Sequence, residues 1–161
     1  MNRALLIVLA VAACGPSKVP SDQIACTTRA GLQVLKPVPD SWDCPAVQAA
    51  ENSILRAFST LSSADGRFAE APERLKGWQV HVVPAKAWTS EVGVRVAGET
   101  YCPTFTVCIN NDRPPDGSLG HELAHAVQYC EPVMYPPNLK DPQHSNWEPI
   151  YAALADQQIP P

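Results

Sequence analysis

Seventeen prolines are scattered along the 161 residues, and no segment repeats. Each proline fixes φ and removes a backbone donor, so it ends a helix or is barred from a central strand. The chain is therefore confined to short elements. Residues 45–64, "PAVQAAENSILRAFSTLSSA", read as a helix with proline in the first turn, and Val47, Ala50, Ile54, Leu55, Phe58 and Leu61 recur on one face. Residues 26–37 have the alternation of a strand, as do 77–84 (Trp78, Val80 and Val82 on one side), 92–98 and 104–110 (Phe105, Val107 and Ile109 on one side). A polar, proline-rich loop, "NDRPPDG", precedes a second helix that Asp116 or Ser118 can cap and that should stop near Glu131-Pro132. Residues 145–157 read as a last helix, with Trp147, Ile150, Tyr151 and Leu154 at helical spacing. This order predicts an α+β fold: a backing helix, a small three- to four-stranded sheet, and two further helices.

The first residues, "MNRALLIVLAVAACG", place Arg3 before an apolar run from Ala4 to Ala13. The run is too short for a membrane span, which takes about 20 residues, and it reads as a secretory signal. "VAAC", Val11 to Cys14, resembles a bacterial lipobox, which implies lipidation of Cys14 after removal of residues 1–13. Residues 14–25, rich in proline, serine and polar side chains, suit a tether, leaving 26–161 as a single domain. By the same resemblance, Gly15 after the cysteine favours the outer membrane in a Gram-negative cell. The lipid would be the chain's only hold on the membrane. A net charge of −4 without a basic stripe argues against nucleic acid as a partner.

Export permits disulfides. Beyond Cys14 the chain carries Cys26, Cys44, Cys102, Cys108 and Cys130, an odd number. The spacing suggests Cys26–Cys44 and Cys102–Cys108, with Cys130 buried and free. No C-x-x-C pair is present to build a structural zinc site from cysteines.

The chemistry concentrates in "SLGHELAHAVQYC", Ser118 to Cys130. On a helix, residues four apart share a face, so His121 and His125 can aim at one point. Leu119, Leu123, Ala126 and Val127 put that face near an apolar surface. Two imidazoles there would be costly without a partner, and a divalent cation satisfies both. Glu122, next to the first histidine, can face a water on that cation without being a ligand.

This H-E-x-x-H pattern resembles the zincin superfamily of metallopeptidases, tightly over Leu119 to Val127. The preceding strand and the later helix fit the same resemblance. It implies a minimal zincin-like domain with one catalytic Zn2+, a zinc-bound water activated by Glu122 as general base, and hydrolysis of a peptide or protein in the cell envelope. A catalytic zinc needs three protein ligands and an open position. The metzincin continuation is absent, so the third ligand comes from downstream. His144 in "DPQHSNW" is preferred to Glu148, which is followed at once by Pro149. Asp141 could orient the His144 imidazole. Tyr129, Tyr135, Tyr151 and Arg113 are the candidates to stabilise the oxyanion. The strand at 104–110 could hold an extended peptide by β-addition. His81, out of phase in its strand, is left out of the site, as is Met134. The alternatives are a non-catalytic zinc-binding or interaction lipoprotein with a closed or degenerate site, and a zinc hydrolase of amides other than peptides.

Overall fold

The computed structural model describes residues 20–36, 38–83, 88–89, 95–110, 115, 117–130 and 148–157, with backbone alone at 88, 89, 95, 96, 117, 129 and 148. The first helix, α1 (Cys44–Leu61), starts where Asp43 accepts a hydrogen bond from the Ala46 amide at 2.8 Å, with proline in its first turn. It buries Val47, Ile54, Ala57, Phe58 and Leu61 as the periodicity requires, and Glu51 with them. It stops short of residue 64 because Ala64 and Asp65 both turn back to the Leu61 carbonyl.

Segment 26–37 forms two strands rather than one: β1 (Ile24–Thr27) and β2 (Gln33–Leu35) pair antiparallel about a turn. Gly31 supplies that turn's positive φ of 100°. Glu51 holds the turn to α1, accepting from the Thr28 hydroxyl and from the Ala30 amide at 3.3 Å. The Cys26–Cys44 disulfide forms as expected and ties β1 to the first residue of α1.

A short helix, α2 (Ala71–Arg74), precedes β3 (Gln79–Val83). The run at 92–98 divides between two sheets. Arg95–Val96 (β5) pairs with Trp88–Thr89 (β4) as a ribbon, and the chain then enters β6 (Gly98–Tyr101). After β7 (Thr106–Asn110) come α3 (Gly117–Tyr129) and α4 (Glu148–Asp156). The fold is α+β, around a five-stranded sheet in the order β1-β2-β3-β7-β6. The sheet is larger than the sequence suggests because the hairpin and β6 are both added to it. β2, β3 and β7 run parallel, and the edge strands β1 and β6 run antiparallel to their neighbours.

Two expectations fail at β7. The strand is not an edge open to β-addition, since β3 and β6 occupy its two sides and all five residues are buried. Phe105 is not part of it either. Its φ of 54° is left-handed, it is 41% exposed, and its ring meets Trp78 edge-on at 5.5 Å.

The second disulfide also differs. Cys102 bonds Cys130, with Cα atoms 5.0 Å apart, and not Cys108. Cys102 lies in the turn past the end of β6, whereas Cys108 sits mid-strand in β7 opposite Glu99, fully buried. Among the described residues no cysteine is a free thiol, so Cys130 is not one. No described helix is long and apolar enough to cross a membrane; Cys14 lies outside the described residues.

Candidate metal centre

Helix α3 is positioned from both ends. At its C-terminus the Cys102–Cys130 bond fixes it to the β6–β7 corner. Arg67 donates to the Gln128 carbonyl at 2.5 Å and Arg74 to the Val127 carbonyl at 3.5 Å, cations that suit the negative end of a helix dipole. Nearer its start, Gly120 lets α4 come close. A Cβ there would lie 2.8 Å from Leu154 Cδ2 and 3.4 Å from Ile54 Cγ1, so α1, α3 and α4 meet at this glycine. Leu119, Leu123, Ala124 and Val127 are fully buried. The helix thus buries its apolar face in the core, with His121 and His125 partly buried beside it.

The two histidines converge. His121 Nε2 and His125 Nε2 stand 3.1 Å apart, with ring centroids at 4.8 Å and planes at 76°. Two nitrogens each bound to one tetrahedral zinc would be about 3.3 Å apart, given Zn–N of about 2.0–2.1 Å. The separation of the pair is close to that spacing. On the other side of the first ring, the Tyr151 hydroxyl lies 3.2 Å from His121 Nδ1.

Glu122 is buried between α3 and β6. Thr100 Oγ1 donates to it, 2.6 Å from Oε2 and 2.9 Å from its backbone carbonyl oxygen. Gly98, two residues earlier on the same face of β6, leaves room for the side chain. A Cβ on Gly98 would be 2.7 Å from both Cγ and Oε1 of Glu122. Glu99, which accepts from the Tyr101 hydroxyl at 2.7 Å, adds a nearby negative charge. Burial, first, and then Glu99 push the Glu122 carboxyl up from 4.5 to about 7, against the lowering effect of Thr100.

The chain matches no protein-family model, no curated protein and no solved structure.

His121 and His125 meet on α3 as the spacing requires, and Glu122 lies between them on the same helix. The third donor does not come into view. Among the described residues no group of three or more His, Cys, Asp or Glu gathers to hold an ion. His144, Asp141, Tyr135 and Arg113 lie outside the described residues. Glu148 is the first residue of α4, the helix that brings Tyr151 to His121. Tyr129 is the last of α3. His81 is half-buried in β3, with β7 between it and β6, and burial lowers its pKa below the usual 6.5. Sequence reasoning missed Gly98 and Thr100. Their two-residue spacing was a usable signal, hidden by ending the preceding strand at Gly98.

The raised Glu122 pKa has a stability consequence for the metal-free protein. The folded state disfavours the ionised carboxylate, so stability is undiminished below the unfolded pKa of 4.5. It falls between 4.5 and about 7, and stays reduced above that. The full loss is about 3 kcal/mol. Glu122→Gln removes it. In urea unfolding of chelator-treated protein, the variant's advantage over wild type should grow by about that amount between pH 4.5 and 8. An advantage independent of pH would show that burial does not penalise the charge.

Proposed function

We propose that this chain is a zinc-dependent hydrolase of peptide bonds, exported and held to the bacterial cell envelope by a lipid on Cys14. The observation that carries the reading is the pair of Nε2 atoms 3.1 Å apart on the helix whose intervening glutamate is buried beside an edge strand. His121 and His125 would hold the ion, with His144 as the preferred third ligand and Glu148 the next. When bound there, zinc acidifies a water and polarises the substrate carbonyl.

The remaining work falls to the protein. Glu122 takes the proton of the attacking water and delivers it to the leaving amine. Thr100 holds the carboxyl in place through Oε2. Burial brings its proton affinity near neutrality, where a base that must also release its proton works best. β6 (Gly98–Tyr101), the edge strand over α3, replaces β7 as the strand on which an extended peptide would lie.

The test is elemental analysis of the purified mature protein with its His121→Ala and His125→Ala variants, alongside peptide hydrolysis. Wild type should carry about one zinc, as a single catalytic site does, and each variant should lose it and all turnover. Folded wild type without zinc would end this reading. One tightly held zinc with no hydrolysis of any peptide would favour a closed, non-catalytic site, with His144 and Glu148 both coordinating.

A further inference from the structure

We infer that Tyr151 is a positioning residue for the metal site, acting through the imidazole of His121 and not on the substrate. The inference rests on the zinc reading of this same site.

The geometry separates the two roles. The Tyr151 hydroxyl is 3.2 Å from Nδ1 of His121, whereas Nε2 of that ring faces His125. The two ring nitrogens direct their in-plane bonds to opposite sides of the imidazole. A hydroxyl seated at Nδ1 is therefore behind the ring as viewed from the ion. It is in no position to coordinate the ion or to contact an oxyanion formed beside it. What it can do is fix the ring. For Nε2 to offer its lone pair, the proton of the neutral imidazole must be on Nδ1. Nδ1–H then donates to the Tyr151 oxygen, which accepts. That hydrogen bond selects the tautomer a metal requires and holds the ring plane against rotation.

The tyrosine is itself well placed to do this. Its ring lies nearly parallel to that of His121, at 26° with centroids 6.0 Å apart. Its backbone belongs to α4, whose opposite face is fixed by buried Ile150, Ala153 and Leu154. Leu154 packs against Gly120, the residue next to His121. The end of the helix is tied to α1 by a hydrogen bond from Arg56 Nε to Gln157 Oε1 at 3.0 Å. Tyr151 is 40% exposed, so the packing of the core does not require its ring. An exposed tyrosine on an otherwise well-docked helix, with its oxygen on the histidine, is placed for the hydrogen bond. The same helix begins at Glu148, one turn earlier. α4 thus couples the first histidine to the part of the chain from which the third donor must come.

Tyr151→Phe keeps the ring and removes the acceptor. The test uses the full mature protein and two readouts besides activity. Zinc affinity is measured by competition with a chromogenic chelator. The His121 tautomer is read from long-range 1H–15N correlations of the histidine side chains in metal-free protein. Wild type should show the Nδ1–H form. Tyr151→Phe should shift His121 towards the Nε2–H form and bind zinc about tenfold more weakly, the lower end of the range for losing such a partner. Its melting temperature should not change, since the residue is exposed. Equal zinc affinity and the same tautomer in both proteins would overturn the inference and leave the metal site standing. A folded wild type that binds no zinc would overturn both.

Discussion

Glu122→Gln is expected to bind zinc as the wild type does and to hydrolyse peptides about 10²–10⁴ times more slowly, the usual worth of a general base. The substitution is close to isosteric, so the space between α3 and β6 stays filled. The amide oxygen can still accept from Thr100 Oγ1, which now lies 2.6 Å from Oε2. What the amide cannot do is take a proton from water. Neither His121 nor His125 is touched, so metal content should not move. The measurement is zinc stoichiometry together with turnover of a mixed peptide library at saturating zinc. Full turnover at full zinc occupancy would remove Glu122 from the mechanism. Loss of zinc with loss of turnover would make it a ligand instead of a base.

How far the sequence could be read depends on whether the reason for an element is local. The periodicity of α1, and the apolar flanks of His121 and His125, are local and translate directly into buried faces. The last helix is only partly so. Ile150 and Leu154 are buried as their spacing implies, but Tyr151 is on the exposed side, where its hydroxyl meets His121, thirty residues away in sequence. The disulfides divide in the same way. Cys26–Cys44 joins neighbouring segments. Cys102 and Cys108, close in sequence, are kept apart by the β6–β7 pairing, which puts Cys108 mid-strand and leaves Cys102 beyond the end of β6, next to Cys130. The alternation of β7 says nothing about which strands flank it, so it does not reveal that β3 and β6 enclose it. The parallel pairing to β3, made across an intervening ribbon and β6, is a property of the whole chain.

Gly98 is the sharpest case, and its replacement by alanine has an expected sign opposite to the one local propensity gives. A glycine inside a strand costs about 0.5–1 kcal/mol relative to alanine, so Gly98→Ala would be stabilising if only the strand mattered. The added methyl instead meets Glu122 Cγ and Oε1 at 2.7 Å and Ile109 Cδ1 at 2.9 Å. Glu122 is buried and held by Thr100, so it is not a flexible tip that can swing aside. We expect Gly98→Ala to lower the unfolding free energy by about 1–3 kcal/mol, the range for overpacking a core. Displacing the carboxyl should also slow hydrolysis about a hundredfold, as a misplacement of about 1 Å can. Zinc content should be unchanged, because Glu122 is not among the proposed ligands. The control is the double variant Gly98→Ala, Glu122→Ala, in which the worst contact is gone. Urea unfolding of the four proteins should show the two substitutions offsetting each other by about 1 kcal/mol or more, as expected for residues in direct contact. Additive effects would mean that Gly98 is not kept small by Glu122. In that event the glycine would have to be explained by a neighbour other than Glu122, such as Ile109.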